Sequence, residues 1–201
     1  MRLDPFYPIV PSSDWLERLL PLGVKLVQLR VKDQEEGVVR EEVRRARDLC
    51  TRHGALLVVN DYWRIAIEEE CAFVHLGQGD LDTAEVPAIR RAGIRLGIST
   101  HDDAELERAL ALDPDYIALG PVYETKLKQM PWAPQGLGRV AEWKRRVGGR
   151  PLVAIGGLTV ERAPAVLEAG ADILSVVTDV VRSPDPETRT RAWLAVTRVA
   201  A

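Results

Sequence analysis

The sequence predicts a (β/α)8 barrel, one TIM-barrel domain over residues 1–201, and three observations carry that expectation. Short apolar runs recur eight times, each followed by a helical pattern, so the 201 residues divide into units of about 25, close to the minimum for such a barrel. Several runs are almost continuously hydrophobic (LLVV, YIAL, LVAI), as parallel strands buried on both faces require. No G-x-G-x-x-G fingerprint accompanies them, which favours a closed barrel over an open doubly wound sheet.

In chain order, the first strand is Phe6–Val10, followed by a helix over Ser13–Leu20. Gly23 then stops that helix, where a left-handed C-cap belongs, before a second strand at Val24–Arg30. A helix over Glu36–His53 ends at Gly54 and leads to Leu56–Asn60; Tyr62–Glu69 leads to Phe73–Leu76. Thr83–Ala92 ends at Gly93 before Arg95–Ile98, and His101–Leu112 ends at Asp113-Pro114-Asp115, a turn sequence before Tyr116–Leu119. Gly148–Gly149 separates the helix Gly138–Val147 from Leu152–Ile155, and Gly170 separates Val160–Ala169 from Ile173–Val177. Pro186–Ala200 closes the series. One connector, Gly120–Leu137, is long and rich in Lys, Gln and Pro; loops of that length in compact domains usually carry function. It follows a strand, and so belongs to the face of the barrel where such enzymes place their chemistry.

Composition narrows the function. Hydrophobic residues make up 46% and charged residues 28%, enough for a core. A net charge of −3 argues against nucleic acid or an anionic membrane as a partner held by bulk charge. Cys50 and Cys71 have no C-x-x-C spacing, which argues against a cysteine-based zinc site and for a reducing compartment. The first ten residues lack the apolar run of a signal peptide, and no stretch approaches the ~18 apolar residues of a membrane span. A cytoplasmic protein is expected.

Polar residues at the C-terminal ends of the strands locate the chemistry. In the second strand Gln28, Arg30 and Lys32 share one face, while Val27, Leu29 and Val31 share the other. Same-face residues lie ~6–7 Å apart, about the reach of a diphosphate. A solvated strand end is the plainer alternative. Asn60-Asp61 ends the third strand, and His75-Leu76-Gly77-Gln78-Gly79-Asp80 ends the fourth. Two neighbouring carboxylates repel one another unless a hard divalent cation lies between them, and Mg²⁺ takes few carboxylates plus phosphate and water. Asp61 as a helix N-cap and Asp80 as a turn residue are the competing accounts. At the fifth strand's end Ser99 faces the mouth, whereas Thr100 and Asp103 have capping-box spacing. His75 has the parity of a hydrogen-bonded core histidine, and His101 is expected in solvent. Gly156-Gly157 after the seventh strand and Val177-Thr178 after the eighth suit a phosphate site, although a pair of glycines also suits a tight turn.

Together these residues resemble the thiamine phosphate synthase family. The resemblance runs from Gln28-Leu29-Arg30-Val31-Lys32-Asp33 through Asn60-Asp61, His75–Asp80, Gly97-Ile98-Ser99-Thr100-His101 and Gly120-Pro121-Val122-Tyr123 to Gly156-Gly157 and Ser175-Val176-Val177-Thr178. It implies a (β/α)8 transferase of thiamine biosynthesis. Such an enzyme joins 4-amino-2-methyl-5-hydroxymethylpyrimidine diphosphate to 4-methyl-5-(2-phosphoethyl)thiazole and releases pyrophosphate, with small molecules as its only partners; a homodimer stays open. It further implies that Gln28, Arg30, Lys32 and Asn60 contact the pyrimidine diphosphate, with His75 near the pyrimidine. Asp61 and Asp80 are then the Mg²⁺ ligands, and Ser99 and Lys128 further diphosphate contacts. Thr125, Gly157 and the backbone at Val177 and Thr178 form the thiazole phosphate site. Arg30, Lys32 and Lys128 are the cations implied to stabilise the leaving group. The family's T-x-T-K loop reads Thr125-Lys126-Leu127-Lys128 here, with Glu124 in place of a frequent proline. A thiazole tautomerase of the same superfamily and a non-catalytic thiamine-phosphate-binding barrel are the alternatives.

Overall fold

In the computed structural model, which describes residues 3–125 and 133–199, eight parallel strands pair in sequence order and close into a barrel. The strands are β1 (Phe6–Val10), β2 (Leu26–Leu29), β3 (Leu56–Asn60), β4 (Phe73–Leu76), β5 (Arg95–Thr100), β6 (Tyr116–Leu119), β7 (Leu152–Ile155) and β8 (Ile173–Val176). Phe6 opposite Leu174 and Tyr7 opposite Ser175 close the ring. The helices are α1 (Ser13–Leu19), α2 (Glu36–His53), α3 (Trp63–Glu68), α4 (Val86–Arg91), α5 (Asp103–Ala111), α6 (Gly136–Val147), α7 (Ala163–Glu168), α8 (Thr178–Val181) and α9 (Pro186–Val199). Among the described residues no helix is long and apolar enough to cross a membrane.

Strand alternation divides the apolar residues into two cores. Tyr7, Leu26, Val58, Phe73, Tyr116, Val153 and Ile173 fill the barrel's interior. Val27, Leu29 and Val31 turn outward with Val59, Leu96 and Leu119, against helix residues such as Leu16, Val43, Leu106 and Trp143. The interior parity of β2 therefore continues from Leu26 through Gln28 towards Arg30.

Element ends depart from expectation for local reasons. The β2 ladder begins where β3 begins, at Leu26 opposite Leu56, so Val24 and Lys25 precede it. Arg30 lies beyond the strand but still donates its N–H to Val10 O at 2.8 Å. Pro87 and Pro164 lack the N–H of an interior helical residue and crowd the preceding turn, so α4 and α7 start late, each after a short 3-10 turn (Asp80–Asp82 and Val160–Arg162). The α5 cap is Asp102, whose carboxylate accepts from Glu105 N at 2.9 Å, not Thr100. Thr100 is structural in another way: its hydroxyl donates to Ala118 O and accepts from Trp143 Nε1, both at 2.9 Å, tying β5 to β6 and α6. The short α8 was not foreseen, because four residues show no periodicity.

Candidate active site

A cavity of about 710 Å³ opens at the C-terminal ends of the strands. Gln28, Arg30, Lys32, Asn60, Asp61, His75, Asp80, Ser99, Thr125, Gly157, Val177 and Thr178 all line it. Residues spread from 28 to 178 meet there because parallel strands present all their C-terminal ends on one face. Lys128 lies outside the described residues, as do Met130 and Trp132.

On one wall Gln28 is buried, Arg30 half-buried and Lys32 exposed, a gradient that follows β2 outward. Asn60 is buried, and among the described residues its Nδ2 has no hydrogen-bond partner. A buried amide donor left unpaired costs about 1–3 kcal/mol, so a ligand acceptor is the fitting partner. Asp61 adopts a left-handed backbone, φ 64°, just past β3, and the α3 cap position falls to Tyr62. Its carboxylate is thus not a cap; it takes Lys32 Nζ at 2.5 Å. Asp80 does serve its turn, accepting Gly77 N at 2.9 Å. Burial first, and then the Asp61 charge, push its carboxyl above the usual range.

The two neighbouring carboxylates, with the Asp61 charge raising the proton affinity of Asp80, form an all-oxygen donor pair suited to a hard divalent cation. Among the described residues no third His, Cys, Asp or Glu joins them, so such a cation would complete its shell from water and ligand oxygens.

Across the mouth, His75 is buried between two hydroxyls: Nε2 lies 2.8 Å from Ser99 Oγ, and Nδ1 lies 2.8 Å from Tyr116 Oη. Burial lowers its pKa to about 4, so the ring is neutral at physiological pH. His101 is not a solvated residue. It is half-buried, lines the cavity, and its Nδ1 lies 2.7 Å from Glu105 Oε2.

Opposite β2, Gly156 and Gly157 have φ 99° and 64°, a conformation that side chains rarely adopt. A Cβ on Gly156 would also lie 2.5 Å from Pro121 Cα, and one on Gly157 2.5 Å from Glu124 O. The glycines therefore do more than turn the chain: they let the β6 and β7 loops press together, with Tyr123 N donating to Gly156 O at 3.0 Å. A second cavity of about 370 Å³ adjoins them, sharing Thr125, Gly157 and Thr178 and adding Arg162 and Arg182. Behind it Arg189 grips Asp179 (Nε to Oδ2, 2.8 Å) and Glu161 (Nη1 to Oε1, 2.8 Å). Trp193 Nε1 donates to the same Asp179 oxygen at 2.7 Å.

Sequence reasoning missed several of these groups. Ser175 lines the cavity with its hydroxyl buried and unpaired among the described residues, yet it reads as one polar residue in an apolar strand. Tyr7 and Tyr116 read as core aromatics. Their signal was the phenol itself, since a buried Tyr hydroxyl needs a partner.

Comparison with known proteins places these features in context. The family model described as thiamine monophosphate synthase matches residues 7–180. The thiamine-phosphate synthase of Rhizobium etli is 66% identical over 197 residues, covering 98% of this chain and 97% of its own. That of Salmonella typhimurium is 49% identical over 193 residues, covering 96% and 92%. Among solved structures, thiamine phosphate pyrophosphorylase from Pyrococcus furiosus superposes with a TM-score of 0.86 at 22% identity, covering 98% of this chain and 96% of its own. A 3-hexulose-6-phosphate synthase superposes at 0.68 with 13% identity, covering 94% and 98%; at such identities a likeness speaks for the fold alone.

Proposed function

Since the chain belongs to the thiamine monophosphate synthase family and carries its transferase activity, thiamine phosphate synthesis, we propose a division of labour at the barrel mouth. The β2–β5 wall takes the aminopyrimidine diphosphate, and the β6–β8 loops take the thiazole phosphate. The observation that carries this reading is the convergence of Asp61, Asp80, Arg30, Lys32 and the unpaired Asn60 amide on one cavity.

Asp61 and Asp80 would hold Mg²⁺, which when bound supplies Lewis-acid neutralisation of the diphosphate charge. Gln28 and Asn60 orient the pyrimidine end, with His75 beside it. Arg30 and Lys32 present fixed positive charge to the oxygens that gain electron density as the C–O bond breaks, and Ser99 adds a hydroxyl donor. Lys128 is expected to add a third cation from the 120–137 connector. Departure of pyrophosphate leaves a cation delocalised over the aminopyrimidine, and the thiazole nitrogen attacks its methylene carbon. No covalent enzyme intermediate is required.

Gly157, Thr125 and the backbone at Val177 and Thr178 anchor the second substrate's phosphate, with Arg162 and Arg182 supplying charge nearby. Holding both partners in line contributes up to ~7–11 kcal/mol of the barrier in well-aligned systems. A cytoplasmic location fits Cys50 and Cys71, both free and buried, with thiols that burial pushes up to about 12 and about 11.

The test is pyrophosphate release with both substrates, with and without EDTA. Release should require both, stop with chelator and return with Mg²⁺. Release that ignores EDTA would remove the metal assignment, and none with Mg²⁺ present would remove the substrate assignment.

A further inference from the structure

Beneath the floor of the mouth, five polar side chains form one unbroken hydrogen-bond chain. Gln28 Nε2 donates to Tyr7 Oη at 2.8 Å, and Tyr7 Oη meets Tyr116 Oη at 3.0 Å. Tyr116 Oη meets His75 Nδ1 at 2.8 Å, and His75 Nε2 meets Ser99 Oγ at 2.8 Å. The path runs from β2 through β1, β6 and β4 to β5, joining opposite walls of the barrel. Gln28, His75 and Ser99 line the cavity; the two tyrosines lie below it, 1% and 0% exposed. Packing holds them there. The rings of Tyr7 and Tyr116 meet edge-on at 6.0 Å, and His75 stacks on Tyr116 at 5.6 Å. Gly97 makes the room, since a Cβ there would lie 2.1 Å from Tyr116 Cζ.

Each phenol has one proton, so the chain has only two complete polarities. With the Gln28 amide N–H donating, Tyr7 must donate to Tyr116, and Tyr116 to Nδ1. The neutral imidazole then carries its proton on Nε2 and donates to Ser99. Half a turn of the Gln28 amide reverses every bond, leaving the ring protonated on Nδ1 and Ser99 donating inward.

The two polarities present different faces to a ligand. In the first, Gln28 Oε1 is an acceptor facing the cavity. The Ser99 proton is free to leave the chain, because among the described residues Ser99 Oγ has only His75 as partner. In the second, Ser99 offers a ligand only lone pairs, which repel an anion.

We propose that Tyr7, Tyr116 and His75 are positioning residues that set the donor–acceptor polarity of the site. They hold His75 as its Nε2–H tautomer, Ser99 as a donor to an anionic ligand oxygen, and the Gln28 carbonyl as acceptor for an amino N–H of the same ligand. An aminopyrimidine diphosphate offers both groups, so the inference rests on the functional reading above and adds what enforces its selectivity.

The test is the tautomer, read by ¹⁵N–¹H correlation of the imidazoles in the full-length protein at neutral pH, free and with pyrophosphate and Mg²⁺. His75→Gln identifies the resonance. The expected result is Nε2–H in both states. Tyr116→Phe should lose that tautomer preference and lower kcat about fivefold, the factor one net hydrogen bond carries, while KM for the thiazole phosphate stays unchanged. An Nδ1–H ring in the wild type overturns the proposal, as does Tyr116→Phe with wild-type tautomer and kcat. The wild-type tautomer needs no turnover, so its failure is distinguishable from failure of the synthase reading, which the pyrophosphate assay reports separately.

Discussion

Lys32 Nζ lies 2.5 Å from Asp61 Oδ2, an ion pair crossing from the end of β2 to the end of β3. The two residues are 29 apart in the chain and meet because these strands pair in parallel, with Leu29 opposite Val59. The ammonium occupies the carboxylate proposed for the metal, so a divalent cation held there would compete with Lys32 for Asp61.

Lys32→Ala should therefore damage catalysis far more than folding. The pair is solvent-accessible, and exposed pairs contribute no more than about 1 kcal/mol. Loss of a cation aimed at a developing charge costs on the order of 10²-fold in kcat. Single-turnover kinetics beside thermal unfolding checks both halves; a large loss of stability with normal kcat would contradict the assignment.

Asp80→Asn should trade function for stability. It removes a partly buried charge beside Asp61 while keeping an oxygen for Gly77 N. In EDTA the melting temperature should rise by roughly 2–4 °C, the shift about 1 kcal/mol produces in a chain of this size. Pyrophosphate release should fall on the order of 10²–10³-fold. Calorimetry and the release assay measure the two effects, and a fall in both stability and activity would count against mutual repulsion at this site.

Arg189 braces the loops after β7 and β8 from behind, through Glu161 and Asp179. Arg189→Ala leaves the Asp179 carboxylate with Trp193 as its one side-chain donor among the described residues and should cost roughly 2 kcal/mol of stability. Its kinetic signature should be selective: a raised KM for the thiazole phosphate with little change in KM for the pyrimidine diphosphate. Equal changes in both constants would mean that the brace does not serve the loops proposed to hold that phosphate.

His75 makes stability depend on acid. Its folded pKa of about 4 lies below the ordinary 6.5, so the unfolded chain binds more protons between those values. This contribution is constant above pH 6.5 and is lost as pH falls from 6.5 to about 4, reaching on the order of 3 kcal/mol. Urea unfolding across that window should show a steeper decline for the wild type than for His75→Gln. Parallel declines would show that other groups carry the acid sensitivity.

The barrel was legible because its signals are local. Apolar runs such as Leu56–Asn60 and Tyr116–Leu119 coincide with the strands observed, and glycines such as Gly54 end helices in left-handed geometry. Strand alternation likewise placed Gln28, Arg30 and Lys32 on one face and Val27, Leu29 and Val31 on the other, and the first set lines the cavity while the second packs in the outer core. Predicted helix starts at Thr83 and Val160 overran because a proline's effect on the turn before it outweighs apolar periodicity.

By itself, the sequence determined the order of the elements, the face each strand residue occupies and the residue types gathered at the mouth, since all three depend on neighbours within a few positions. Which groups touch was decided only by closure of the barrel. Tyr7, Tyr116 and His75 are on three different strands, and nothing in their spacing announces a shared chain of hydrogen bonds. The same holds for Lys32 with Asp61 and for Arg189 behind the loops after β7 and β8. Parity assigns a side chain to the inside or outside of a barrel; strand stagger and packing around the ring choose its partner.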